Sequence, residues 1–304
     1  MSRIAALLLA LSLSIPGSAF ATSFDSLVSF GDSLSDTGSG PATPPSYGGR
    51  FSNGPVWEEY LASSLGIAPA DTADYAIGGA TSGLTGLGGT PTGLLTQVAS
   101  YSSAPVSLGT STLFTVWAGG NDAIQSAISG TDPIAGASQA AANIASAVTQ
   151  LAATGAQYFL VPNLPNGGLF PITAQLGANP DAANQLTIFF DSQLDADLAP
   201  LASSLGITIF RLDTYSLFQS IVADPAAYGL TDVTTPCTSG STVCANPDQH
   251  LFWDNVHPTT TVHGFIGAAA LAVVPEPEVA ALLAAAALAL AMALRARVAQ
   301  VSMR

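Results

Sequence analysis

The chain has 304 residues, 48% hydrophobic and 9% charged, with 20 Asp and Glu against 6 Arg and a formal net charge of −14. That length allows one large or two small domains. So acidic a chain excludes nucleic acid as a partner and repels acidic lipid headgroups and anionic substrates; between residues 22 and 274 the cations are Arg50 and Arg211 alone.

Arg3, the apolar run 4–15, helix-breaking Pro16 and Gly17, and Ala19-Phe20-Ala21 have the layout of a secretory signal peptide. Residues 1–21 are therefore expected to be removed after Ala21, the run being too short for a membrane span. Residues 24–30 are rich in the aromatic and β-branched types of a buried strand. Gly31 and Asp32 stop it. Ser33 is thus placed on the first turn after a strand, at the carboxyl edge where open α/β sheets hold ligands. There it can expose its hydroxyl with its N–H free, or it can simply cap the next segment.

The stretch 39–47, with Pro41, Pro44 and Pro45, reads as a border of the site, too short to separate domains. Asn53-Gly54-Pro55 is expected to open a helix with Val56, Trp57, Tyr60, Leu61 and Leu65 on one face and Gly66 at its end. Residues 73–77 form a short second strand, followed by Gly78-Gly79-Ala80-Thr81. The two glycines let a backbone N–H approach a ligand, or serve an ordinary turn. Residues 113–118 are a third strand ending in Gly119-Gly120-Asn121-Asp122, where the Asn121 amide can donate two hydrogen bonds into a cleft or act as a turn residue.

An alanine-rich helix follows over 136–154, with Ile144, Val148 and Leu151 at helical spacing and Gly155 as its stop. Residues 157–161 are strand four. A long helix starts near Asp181, with Leu186, Phe190, Leu194, Leu198, Leu201 and Leu205 on one stripe; Pro200 is expected to kink or end it near Ala199. Residues 207–211 are strand five. The alternation calls for a five-stranded parallel sheet in a three-layer α/β/α sandwich, one domain over 22–272. The turns bearing Ser33, Gly79 and Asn121 then share one sheet edge.

Cys237 and Cys244 stand close together in a loop rich in Ser, Thr and Gly. In an oxidising compartment they pair as a structural disulfide, worth about 2.5 kcal/mol on the chain-entropy model. With no histidine at zinc spacing beside them, no metal site is expected. Asp254 and His257 lie three residues apart before Pro258, which can start a helix through Leu271. In a tight turn the carboxylate reaches Nδ1–H and leaves Nε2 outward as a base; the plainer alternative is Asp254 as a cap and His257 in solvent. His250 and His263 read as structural.

Last, Val274-Pro275-Glu276-Pro277 precedes the apolar run 279–294 and Arg295 and Arg297. As a helix that run reaches roughly 24 Å, short of the ~30 Å hydrocarbon core, which suits a sorting or stop-transfer signal. Residues 273–304 resemble the PEP-CTERM sorting tail of Gram-negative envelope proteins. That resemblance implies an exosortase-type processing partner, transient membrane insertion, and export to the envelope, the extracellular matrix or the medium.

Four blocks in order, Gly31-Asp32-Ser33-Leu34, Gly78-Gly79-Ala80-Thr81, Gly119-Gly120-Asn121-Asp122 and Asp254-Asn255-Val256-His257, resemble the GDSL or SGNH hydrolase family, nearest its secreted lipase, esterase and thermolabile-haemolysin-like branch. The resemblance implies a flavodoxin-like fold and cofactor-free cleavage of small-molecule or lipid esters. By it, Ser33 is the nucleophile, His257 the general base and acid, and Asp254 its orienting carboxylate. Ser33 N–H, Gly79 N–H and the Asn121 amide form the oxyanion hole. Ser35 stands where the G-x-S-x-G elbow has its second glycine, so the larger lipase class fits poorly. Three alternatives are a non-catalytic envelope or matrix protein on the same fold, an acyltransferase or polysaccharide deacetylase using the same site, and a metal-dependent hydrolase. Pocket walls are expected from loops 39–52, 82–92 and 164–179, where Leu84, Leu87, Leu164 and Phe170 suit acyl chains or ordinary packing.

Overall fold

Strand β1 (Ser26–Gly31) is the centre from which the sheet is built. It pairs in parallel with β2 (Thr72–Asp74) on one side and β3 (Thr112–Trp117) on the other; β4 (Tyr158–Pro162) and β5 (Thr208–Leu212) complete the order β2-β1-β3-β4-β5. All five strands are parallel, with Gly31 level with Trp117 and Pro162 level with Leu212. The computed structural model describes residues 24–38, 47–106, 108–109 and 111–274. The signal-like segment 1–21, most of the proline stretch and residues 275–304 of the tail lie outside the described residues.

Because successive strand side chains point to opposite faces, each strand feeds two cores. Val28, Phe30, Phe114, Val116, Phe159 and Val161 face α2 (Leu94–Ser103), α4 (Pro133–Ala153) and α6 (Pro180–Leu205), whose Val98, Ile144, Leu151 and Leu194 meet them. Between α2 and α4 in the chain runs α3 (Gly120–Ser129), and a short α5 (Pro171–Gln175) precedes α6. Leu27, Leu113, Trp117, Leu160 and Leu212 face the other way, onto α1 (Trp57–Ser64), α7 (Thr214–Ala223) and α8 (Thr260–Val273), through Trp57, Leu61, Phe218 and Ile266. Burying each such side chain is worth about 1.5–3 kcal/mol. The expected three-layer sandwich is the observed one.

Several local expectations are corrected. Helix α6 runs through Pro200 to Leu205 and ends on left-handed Gly206. Pro200 sits on the solvent side, where water can reach the carbonyl it leaves unbonded, while Leu198 and Leu201 keep the helix on the core. Strand β2 stops at Asp74, yet Tyr75 and Ile77 still donate to the Ser29 and Gly31 carbonyls. Helix α1 starts at Trp57, two residues after Pro55, and the Glu59 carboxylate accepts the Val56 N–H at 2.9 Å. Asn53 serves a distant element: its Oδ1 accepts the Thr260 N–H that opens α8. Helices α2, α3 and α7 arise where the sequence pattern placed no helix.

Cys237 and Cys244 form a disulfide across a small hairpin, β6 (Thr238–Ser239) and β7 (Thr242–Val243). Cys237 N–H and Thr238 N–H donate to the Phe252 and Trp253 carbonyls, which ties the hairpin to the chain just before Asp254.

Candidate active site

The strand order reverses at β1, so the turns after β1 and β3 flank the crevice where open α/β sheets bind ligands. The turn after β1 carries Ser33; the chain after β3 enters α3 through Gly119. Gln97, on the buried face of α2, pins the first turn by accepting Gly31 N–H at 2.9 Å and donating to its carbonyl at 2.8 Å. From the other face, the Trp57 indole N–H donates to Ser35 Oγ at 3.2 Å.

Ser33 is 6% exposed, and its Oγ lies 2.7 Å from His257 Nε2. The other ring nitrogen, Nδ1, lies 2.7 Å from Asp254 Oδ2 and 2.9 Å from Oδ1. Asp254 also accepts the backbone N–H groups of Val256 and His257, so the loop between them is wound around its carboxylate. Burial alone would raise the Asp254 pKa, but the His257 ring and those N–H donors outweigh it and leave it below the ordinary value. A carboxylate so held keeps Nδ1 protonated and presents Nε2 as an acceptor toward the serine. The hydroxyl, imidazole and carboxylate, 224 residues apart at their ends of the Ser33–His257 bond, form one hydrogen-bonded chain.

Gly79 lies in a loop clamped from both sides. Asp36 accepts Gly78 N–H at 2.8 Å, and Ala80 accepts from the Asn121 amide at 2.9 Å. Asp122 adds a third tie through the Ser82 N–H and hydroxyl. Asn121 occupies the first turn of α3, so of its two readings the plainer one, a turn residue, is set aside. Left-handed Gly119 makes that entry possible, because a Cβ there would sit 2.7 Å from the Phe190 ring. One Asn121 amide hydrogen goes to Ala80, and the other has no acceptor among the described residues. The N–H groups of Ser33 and Gly79 have no acceptor among the described residues. Ser33 and Asn121 line one cavity of about 850 Å³, and Gly79 is not among its lining residues.

Burial shapes the remaining charges. Asp32, next to Ser33, has its pKa pushed to about 6 by burial, against the opposing pull of the Leu34 N–H and His257. His263 is neutral, its pKa lowered to about 3 by burial and then by His257, and it accepts the Trp57 N–H. His250 lies near Asp232 and the Thr235 carbonyl, away from Ser33. Both fit the structural role expected of them. Among the described residues no group of three or more His, Cys, Asp or Glu is arranged to hold a metal.

Several supporting residues escaped the sequence reading. Phe51 packs its ring 5.1 Å from that of His257, and a Cβ on Gly78 would collide with it. Asp36 was visible as a carboxylate three residues after Ser33. Gln97 stands among Leu94, Val98 and Tyr101 at helical spacing, and a polar residue in that register was its one signal. The cavity walls also differ from expectation. Leu164 and Phe170 line it, but loop 82–92 does not, and Leu84 is exposed; helices α3 and α6 supply much of the rest.

A family model described as GDSL-like lipase/acylhydrolase matches residues 27–270. The chain is 27% identical to a phosphatidylcholine-sterol acyltransferase of Aeromonas hydrophila, over 83% of this chain and 90% of that protein. It is 28% identical to a thermolabile hemolysin of Vibrio parahaemolyticus over 81% of this chain, spanning 62% of that protein. To Esterase EstA of Pseudomonas aeruginosa it is 30% identical over 85% of this chain, spanning 48% of that protein. An acetylxylan esterase structure from Geobacillus stearothermophilus shares the fold at 16% identity, with a TM-score of 0.50 over 84% of this chain and 97% of that one. With the match covering the sheet and all four blocks, the chain belongs to the GDSL-like lipase/acylhydrolase family and is a carboxylic ester hydrolase.

Proposed function

We propose that this protein cleaves carboxylic esters through an acyl intermediate on Ser33, with His257 as general base and then acid and Asp254 as its orienting carboxylate. The observation that carries the reading is the unbroken chain from Ser33 Oγ through the His257 ring to Asp254. Serine attacks the ester carbon as its proton passes to Nε2. The imidazolium that forms is stabilised by Asp254. The developing oxyanion is received by Ser33 N–H, Gly79 N–H and the free hydrogen of the Asn121 amide; loss of one such donor costs about 3–4 kcal/mol. His257 then protonates the departing alkoxide, and a water activated by the same ring releases the acid.

The deciding experiment is turnover of a short-chain p-nitrophenyl ester by Ser33→Ala. Loss of at least about a thousand-fold is expected, with an unchanged circular dichroism spectrum. Undiminished turnover by the folded variant would end the reading.

A second reading, transfer of the acyl group to an alcohol, draws on the match along 90% of a relative named as an acyltransferase. Adding an acceptor alcohol and finding its ester among the products separates it from hydrolysis. On location, the proposal is export with removal of residues 1–21 and exosortase-type processing of a sorting tail at 273–304. The signal-like layout and the disulfide support export. Among the described residues no helix is long and apolar enough to cross a membrane. Mass spectrometry of the exported protein, finding Thr22 as the first residue and the tail absent, tests both cuts.

A further inference from the structure

A second, polar pocket of about 460 Å³ lies between loop 81–89 and helices α3 and α4. It takes in none of Ser33, Gly79, Asn121 or His257, so the ester chemistry described above does not use it. Small-molecule sites run to about 300–1,000 Å³, so a ligand of one or two rings would fit. Glycines open the space from both sides. In the loop, a Cβ on Gly88 or Gly89 would meet nothing within 4 Å; in α4, a Cβ on Gly136 would lie 2.6 Å from Ser126 Oγ, so glycine there keeps that hydroxyl uncovered.

Every residue lining this pocket is Gly, Ser, Thr, Gln or Asp, so nothing in it receives hydrocarbon. Several of its polar groups are unspent. Ser126 is 7% exposed, and neither its hydroxyl nor that of Thr85 has a hydrogen-bond partner among the described residues. A buried hydroxyl left in that state is a cost that a ligand's own hydroxyl would offset. Gln125 and Gln139 give their amide N–H to Ser129 and Asn143, and each keeps its carbonyl oxygen free. Asp122 is the one ionisable group on the walls, and its carboxylate already accepts the Ser82 N–H and hydroxyl at 2.8 and 2.7 Å. No cation is there to hold a phosphate or carboxylate, and a lone carboxylate falls far short of a calcium shell. Spaced hydroxyls and neutral acceptors match a ligand that carries several hydroxyl groups of its own.

The same walls carry two of the oxyanion donors. Leu87 N–H donates to the Gly79 carbonyl at 2.8 Å, which ties the glycine to the loop, and Asp122 follows Asn121 in α3. We propose that this pocket binds a neutral sugar, and that a sugar bridging loop 85–89 to Gln125 and Gln139 steadies Gly79 against Asn121 and so raises kcat. The binding stands without the ester-hydrolase reading; the effect on kcat rests on it. Because the sugar touches neither Ser33 nor the ester, it acts on donors used in the transition state, and KM should change little.

The first test needs no turnover: saturation-transfer NMR of glucose, maltotriose, inorganic sulfate and calcium-competed glucose with the full chain carrying Ser33→Ala. Both sugars should give signals that neither sulfate nor calcium displaces. Tighter binding of maltotriose would assign the site to a glycan, and equal binding to a free sugar. Ser126→Ala, and separately Gln125→Ala with Gln139→Ala, should each weaken binding at least about three-fold, the value of one neutral hydrogen bond; two sets are used in case one fails to fold. In the protein with Ser33 intact, saturating maltotriose should raise kcat on p-nitrophenyl butyrate at least about two-fold at unchanged KM, with the free acid rather than a sugar ester as product, and the glutamine pair should abolish the gain. Absence of sugar binding, displacement by sulfate or calcium, or binding indifferent to both variant sets overturns the site. Binding that leaves kcat unmoved overturns the coupling to the oxyanion donors. Sugar binding by a protein that cleaves no ester overturns the hydrolase reading and leaves the sugar site standing.

Discussion

The helices on one side of the sheet cover it with hydrocarbon, while those on the other bring polar groups with them. On the α2–α4–α6 side, Val98, Ile144, Val148, Leu151 and Leu194 meet aliphatic and aromatic strand residues; of the buried polar groups there, Gln97 is spent on Gly31 and Thr187 on the backbone of Ala183 and Gly167. On the α1–α7–α8 side, Glu58 lies 2% exposed against the Thr115 hydroxyl at 2.6 Å, with Ser29 and Ser35 beside the same carboxyl. Trp57 reaches Ser35 from that side, and His263 accepts the Trp57 N–H. Burial, then the field of Asp74, holds the Glu58 pKa well above the ordinary value. Such groups stabilise little when buried and fix geometry where they are satisfied. The first side supplies mainly hydrocarbon burial, with Gln97 its tie to the serine turn; the second, which also carries the histidine loop, supplies placement around Ser33 through several polar groups.

The comparison can be broken at either side. Asp254→Asn should leave the melting temperature nearly unchanged and lower kcat about 10⁴-fold, because the imidazole loses its tautomer; a loss below ten-fold would show that placement does not reside in this loop. Leu151→Ala should do the opposite, costing about 2–5 kcal/mol in urea unfolding while kcat of the folded fraction stays put. A matching fall in kcat would show that the hydrocarbon side also positions the site. Cys237→Ser with Cys244→Ser should cost about 2.5 kcal/mol and, unlike Leu151→Ala, should also disturb turnover, since the hairpin is bonded to the chain before Asp254.

The smallest effect belongs to Glu58→Gln. A raised carboxyl pKa means that the native state holds the proton longer than the unfolded chain, so stability falls as pH rises above about 4.3. Glutamine removes that slope. The variant should therefore gain on the parent with rising pH, by at most about 1.4 kcal/mol per pH unit until Glu58 ionises in the native state. Parallel stability curves across this range would mean that the carboxyl does not carry the strain assigned to it.

How much of this was legible follows from where the signals lie. Strands β1, β3, β4 and β5 were visible because each is a compact apolar run, β2 only through the apolar residues that follow it, and Ser33, Asn121 and His257 because each sits just after a strand or beside a turn residue. Helix α3 was not, since Gly119-Gly120-Asn121-Asp122 opens with poor helix formers that read as a turn. Pro200 misled for a related reason: its local cost is real, but Leu198 and Leu201 on either side outweigh it once packed. The cavity had no local signature at all. Its walls come from segments separated by more than a hundred residues, and no periodicity encodes an empty space between them.

The stapled hairpin has a consequence for when the protein becomes competent. If the Phe252 and Trp253 carbonyls are steadied only after Cys237 and Cys244 have joined, a freshly made chain in a thiol-rich interior would carry every residue needed and still hold its imidazole loosely. Should the chain be exported as proposed, oxidation on leaving that interior would serve as a maturation step, keeping an ester-cleaving site quiet among the producing cell's own lipids.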